Sequence, residues 1–192
     1  MSREKEHEKL LAALQEAEKM EVDGKTFYLE MSRKSVNQRG RELFQILAEE
    51  EDVHRQDFRK IYDAVLSGLE IPGHEILSEE ASKLHSLFCQ AVEEVEKEIK
   101  APAAELEAID TAIRMEQDGI DFYLNQARKA EFPRVRRFYR ELADEEKRHK
   151  ATLEDYRKYA VDPAGWLVNK TIPSLGACLL PHATGDVSEI EW

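Results

Sequence analysis

The chain of 192 residues is long enough for one sizeable hydrophobic core, and neither its length nor its composition requires a second domain. Its formal net charge of −12 argues against a nucleic-acid partner, because phosphate binding needs a concentrated basic surface. Charged residues make up 35% of the chain, and Ala, Leu, Glu, Lys and Arg dominate, which is typical of all-α proteins.

Helical periodicity runs through most of the chain. Apolar side chains recur at steps of three and four residues, which is the spacing of one helix face. Turn-like sequence at Ser35 to Gly40 and at Ala130 to Pro133 separates two pairs of such segments. Gly68, Pro72 and Gly73 end the second segment before an apolar stripe begins. The predicted helices span about 5–36, 40–67, 78–99, 103–130 and 134–160.

Four of these helices pair naturally into two antiparallel hairpins. We therefore predict one four-helix bundle over 1–162, with the helix at 78–99 crossing from one hairpin to the other. That crossover helix is expected to cover the flank of the bundle or a partner subunit. The last 30 residues hold three of the six prolines, so 163–192 are predicted to form an extended tail anchored by Trp166 and Trp192.

Two Glu-x-x-His motifs carry the main functional signal. Each motif follows another glutamate at a separation of 30 residues, and the whole pattern recurs at an offset of 95 residues. All of these polar residues fall where the helical periodicity expects apolar side chains. The set comprises Glu21, Glu51, His54, Glu116, Glu146 and His149.

Four buried carboxylates need a charge partner. The idealised cost of burying one unpaired carboxylate is on the order of 20 kcal/mol. Two divalent cations balance four carboxylates, and neutral imidazoles complete the coordination without adding charge. Equal distances from the two predicted turns also place the six residues at one height of the bundle. The sequence therefore predicts a metal pair inside the bundle, with iron and manganese both suited to these ligands.

Other residues on the same faces are candidates for supporting roles. Tyr28 and Tyr123 lie two turns after the glutamates of the first and third bundle helices, where a hydroxyl can reach a ligand carboxylate or simply be satisfied in the core. Glu50 and Glu145 directly precede ligand glutamates. We expect them on a solvated helix face, with orientation of a histidine on the facing helix as the alternative.

The duplicated pattern resembles the rubrerythrin branch of the ferritin-like di-iron proteins. The resemblance covers roughly residues 8 to 160 and implies an all-α, ferritin-like antiparallel four-helix bundle. It also implies that the six residues bind two irons and that Glu51 and Glu146 bridge them. The segments that carry it are Met20-Glu21-Val22-Asp23-Gly24 with Leu47 to His54, and Met115-Glu116-Gln117-Asp118-Gly119 with Leu142 to His149.

The chain departs from the rubrerythrin pattern in two ways. Rubrerythrins proper carry a further ligand glutamate where this chain has Gly119, and they usually carry a rubredoxin domain with four cysteines. This chain has only Cys89 and Cys178, so the resemblance implies that electrons come from a separate donor protein. Gly24 and Gly119 each leave space beside a ligand, which can admit a small oxidant or allow close helix packing.

Two functions follow from the resemblance. The first is a non-haem di-iron oxidoreductase, a peroxidase or ferroxidase that uses hydrogen peroxide or dioxygen in oxidative-stress defence. The alternative is a non-catalytic iron-binding or iron-storage protein. The charged N-terminus and the lack of a long apolar segment favour a cytoplasmic protein with no membrane partner, and the crossover helix and tail favour a homodimer.

Overall fold

The computed structural model describes residues 3–70 and 100–166, which contain four long helices and no strand. The first two helices pack along each other as one hairpin, and the last two form the second hairpin. The predicted all-α bundle of two hairpins is therefore confirmed. The predicted crossover helix at 78–99 lies outside the described residues. The helices are α1 (Arg3–Lys34), α2 (Gln38–Leu66), α3 (Ala103–Lys129) and α4 (Pro133–Val161).

Short connections close both hairpins. Asn37 caps α2, since its side-chain oxygen accepts a hydrogen bond from Gly40 N at 2.7 Å. A side chain at Gly40 would overlap the hydroxyl groups of Tyr156 and Ser35, so a glycine is required for this close approach. Pro133 begins α4, where its missing N–H is no loss. Among the described helices, none is both long enough and apolar enough to cross a lipid bilayer.

The core consists of two apolar clusters with a polar layer between them. One cluster contains Tyr28, Phe44 and Leu153, and the other contains Leu14, Phe58 and Tyr139. The glutamates and histidines that the sequence singles out lie between these clusters along each helix. The two clusters thus close the polar layer from both ends of the bundle.

The buried face of the first half of α3 includes a charged residue. Glu105 and Ala112 are buried there, whereas Leu106 and Ile113 are only half-buried. The buried Glu105 carboxylate accepts hydrogen bonds from Ser35 Oγ at 2.6 Å, from the backbone N–H of residue 36 at 3.1 Å and from the Tyr156 hydroxyl at 3.2 Å. These donors fix the α1–α2 connection to α3 and account for the burial of a charged residue.

The structure describes only the first four residues of the tail predicted at 163–192. Residues 163–166 form a helical turn, in which Trp166 N donates to Asp162 O at 2.9 Å. Trp166 is 6% exposed and packs edge-on against Tyr159, with ring centroids 5.5 Å apart. Burial of the indole ring therefore holds this turn on the bundle. The rest of the predicted tail, including Trp192, lies outside the described residues.

Candidate metal centre

The six residues that the sequence singles out converge in the middle of the bundle, and none is more than 5% exposed. They form two groups, and within each group the potential ligand atoms lie within 4.8 Å of one another. Glu51 and Glu146 belong to both groups, so these two carboxylates lie between two potential cation positions. The groups are Glu21, Glu51, His54 and Glu146, and Glu51, Glu116, Glu146 and His149.

Each histidine directs one ring nitrogen into the cluster. His54 Nδ1 lies 3.4 Å from Glu21 Oε2 and 3.6 Å from Glu146 Oε1. His149 Nδ1 lies 3.2 Å from Glu146 Oε2 and 3.7 Å from Glu116 Oε2. Neither Nδ1 atom has a hydrogen-bond partner among the described residues, and the same holds for Glu21 Oε2. Buried polar atoms without partners are costly, and a cation between them would remove that cost.

The second ring nitrogen of each histidine faces a glutamate from the other hairpin. His54 Nε2 hydrogen-bonds Glu145 Oε2 at 2.8 Å, and His149 Nε2 lies 2.8 Å from Glu50 Oε2. With a cation in place of the Nδ1 proton, the carboxylate at Nε2 would keep the second proton there and leave the Nδ1 lone pair directed at the cluster.

The expectation of a solvated face for these two glutamates is therefore wrong. Glu50 and Glu145 are each 6% exposed, because the opposite hairpin covers them. The sequence did contain a signal for this role. Both residues lie four positions before a motif histidine, and both recur at the same 95-residue offset as the potential ligands.

Two tyrosines link the hairpins through the cluster. The Tyr28 hydroxyl donates a hydrogen bond to Glu116 Oε1, and the Tyr123 hydroxyl donates one to Glu21 Oε1. Burial raises the pKa of both hydroxyls well above the usual value of 10, and the nearby carboxylate charges raise it further. Both tyrosines therefore remain protonated donors and fix the orientation of a carboxylate on the opposite hairpin.

Without a metal ion, the cluster balances its charge by binding protons. Burial acts to lower the pKa of His54 and His149, but hydrogen bonds from neighbouring carboxylates outweigh it and raise this pKa well above 6.5. Burial raises the pKa of Glu51 and Glu146 well above 4.5, and neighbouring carboxylates raise it further. Burial also acts to raise the pKa of Glu21 and Glu116, but hydrogen bonds from neighbouring groups outweigh it and lower the pKa. The two shared carboxylates thus favour neutralisation, which divalent cations provide with the same oxygen and nitrogen ligands.

A cleft of about 210 Å³ between α1 and α3 reaches the cluster from the surface. The exposed residues Asp23 and Asp118 lie along it, as do the half-buried Met20 and Met115. The cleft gives a small molecule a route to the carboxylates at its base. Its remaining lining consists of Glu21, Gly24, Tyr28, Glu51, Glu116, Gly119, Tyr123 and Glu146.

Comparison with protein families gives a match that covers most of the described residues. The model of the family described as Rubrerythrin matches residues 12–105 and 107–162, which together include every member of the buried cluster. No curated protein and no solved structure gave a significant match to the chain.

Proposed function

Because the chain belongs to the rubrerythrin family, we propose that its buried cluster holds two iron ions and that the protein reduces hydrogen peroxide. The single observation that carries this proposal is the position of Glu51 and Glu146, each shared by two groups of potential ligands. Shared carboxylates hold two cations close together, as a two-electron reaction at a metal pair requires.

The ligand set fits the proposed ions in number, charge and chemistry. Glu21 and His54 would complete one position, and Glu116 and His149 would complete the other. Four carboxylates neutralise two divalent ions, so the pair can be held in a buried layer. When bound, two irons that each change oxidation state by one unit supply the two electrons needed to reduce one peroxide. Manganese suits the same ligands.

The surrounding residues would keep this centre in one geometry. Glu145 and Glu50 orient the two imidazoles, and the hydroxyls of Tyr28 and Tyr123 hold one oxygen of Glu116 and Glu21. The apolar clusters on both sides exclude water from the ends of the layer. The cleft between α1 and α3 leaves one approach for the oxidant.

The electrons are proposed to come from a separate donor protein. A four-cysteine iron centre cannot be built from one copy of this chain, which has only Cys89 and Cys178. We also propose that the protein acts as a homodimer. Sedimentation of the metal-loaded protein tests this assembly directly, since a storage protein of the ferritin-like class would form a much larger hollow particle.

Metal analysis and rapid mixing test the proposed function. Protein purified without oxygen and loaded with iron should contain two irons per chain. The protein is then reduced chemically, freed of reductant and mixed with hydrogen peroxide. The metal pair should be oxidised in a single turnover, which near-ultraviolet absorbance measures. Fewer than two bound ions, or no oxidation by peroxide, would contradict the proposal. Retention of many irons per chain would favour the storage alternative.

A further inference from the structure

The two glycines in the cleft differ in what surrounds them. A Cβ atom at Gly24 would lie 3.1 Å from Glu51 Oε2 and 3.2 Å from Glu51 Cδ, so this carboxylate packs directly against the glycine. A Cβ atom at Gly119 would lie 3.6 Å from Glu146 Cγ and 3.8 Å from Glu146 Cδ, which are ordinary contacts. A side chain at 24 would therefore displace the Glu51 carboxylate, whereas one at 119 would meet only ordinary contacts.

Glycine at 119 lowers the stability of the helix that contains it. Residue 119 lies inside α3, where glycine destabilises a helix relative to alanine. Since the neighbouring atoms leave room for a side chain, the effect of glycine here is to leave the cleft wide beside Glu146 and Tyr123. Glycine at 119 therefore keeps this part of the cleft open, although it destabilises the helix.

The size of the cleft exceeds what peroxide needs. Its volume of about 210 Å³ is more than ten times the roughly 10–15 Å³ that admits one water molecule. Methionine side chains and tyrosine rings along its walls offer apolar contact to an alkyl group. The exposed carboxylates of Asp23 and Asp118, with the glutamates at the base, repel anions.

We propose that the cleft admits neutral alkyl hydroperoxides as well as hydrogen peroxide, and that Gly119 sets the size of the alkyl group that reaches the centre. This inference rests on the proposed function, because the reduced metal pair supplies the electrons. In the reaction the O–O bond of ROOH breaks. The two oxygens take two electrons from the pair and two protons from solvent, and the products are ROH and one water.

Single-turnover kinetics test this inference without the unidentified donor. Iron-loaded protein, reduced chemically and freed of reductant, is mixed separately with hydrogen peroxide and with tert-butyl hydroperoxide. The wild-type protein should be oxidised by both. Gly119→Leu should slow oxidation by tert-butyl hydroperoxide at least tenfold more than oxidation by hydrogen peroxide, and Gly119→Ala should have an intermediate effect.

A matched variant separates cleft size from a general effect on α3. Asp121 is exposed on the same helix, two residues after Gly119, and does not line the cleft. Asp121→Leu should leave both oxidation rates as in the wild type. Equal slowing of both oxidants by Gly119→Leu would overturn the inference. A wild-type protein that reacts with hydrogen peroxide but not with tert-butyl hydroperoxide would overturn it while leaving the proposed function standing.

A second measurement does not depend on turnover. In manganese-loaded protein, the methyl protons of tert-butanol should relax faster than in zinc-loaded protein, because the alcohol enters the cleft near the paramagnetic ions. This enhancement should be lost in Gly119→Leu. Equal enhancement in the wild type and Gly119→Leu would overturn the role of residue 119. If neither hydroperoxide oxidises the reduced wild-type protein, the proposed function fails and this inference fails with it.

Discussion

The two hairpins of this bundle are alike on their inner faces and differ just outside them. Each contributes two glutamates, one histidine, one tyrosine and one glutamate that orients a histidine of the other hairpin. Outside this set the match is partial. Met20, Asp23 and Gly24 recur as Met115, Asp118 and Gly119, but Arg148, which contacts Glu145 at 3.0 Å, has Val53 at the matching position of the first hairpin. The two hairpins therefore match fully in the polar layer and only in part outside it.

The largest loss of metal binding is expected when a glutamate shared by both ion positions is replaced. Glu51→Ala should abolish binding of both ions, because Glu51 takes part in both groups. His54→Ala should remove only the ion nearest Glu21. Elemental analysis of the purified variants measures this directly. Glu49→Ala is the matched control, since Glu49 is an exposed glutamate of the same helix and should retain both ions.

Equal metal loss in Glu51→Ala and His54→Ala would show that the two positions fill only together. Full retention of both ions in Glu51→Ala would contradict the shared role of this carboxylate.

A smaller effect is expected from the glutamates that orient the histidines. Glu50→Ala and Glu145→Ala should each weaken metal binding by about 10–100-fold, because the imidazole loses the group that fixes its orientation. Competition with a chelator measures the affinity of each variant. Equal losses of metal affinity in the two variants would show that both glutamates orient their histidines to the same extent. A much larger loss in Glu145→Ala would show that Arg148 makes the second hairpin distinct.

Alanine should stabilise the protein more at position 119 than at position 24. Gly119→Ala should stabilise the metal-free protein by about 0.5–1 kcal/mol, because alanine favours a helix and meets only ordinary contacts. Gly24→Ala should gain less or destabilise, since the Glu51 carboxylate must move. Chemical denaturation of the two variants decides the point. The same change in the free energy of unfolding for both variants would show that the two glycines are packed equally tightly.

The smallest effect concerns an ion pair present in only one hairpin. Asp52 lies 2.9 Å from Lys25, whereas the matching positions in the second hairpin are Lys147 and Ile120. Hydrogen bonds from Lys25 and then Arg55 lower the pKa of Asp52 from 3.8 to about 2. The stabilisation is therefore full above pH 3.8 and is lost as the pH falls through about 2.

Asp52→Asn tests this pair by thermal unfolding. It should cost about 0.2–1 kcal/mol at neutral pH, because the pair lies at the surface and is partly screened by solvent. The difference from the wild type should shrink as the pH falls through about 2 and vanish below it, as Asp52 becomes protonated. A difference that persists unchanged in acid would assign the effect to packing rather than to charge.

Sequence periodicity predicted the helices and the residues of the polar layer because both depend on spacing along the chain. It did not predict the burial of Glu105, since this depends on donors from Ser35 and Tyr156, which are 70 and 51 residues away. The burial of Glu50 and Glu145 escaped prediction for a related reason. Their positions border the apolar stripe, and only contact with the other hairpin determines whether such a position is buried.

Neither hairpin alone contains a complete group of potential ligands. The group that contains Glu21 and His54 also includes Glu146 of the second hairpin. The group that contains His149 also includes Glu51 of the first hairpin. Each tyrosine likewise holds a carboxylate that belongs to the other hairpin. The two halves of the chain are therefore interdependent. Separated from its counterpart, each would keep its motif yet lack the carboxylate that completes its group of potential ligands.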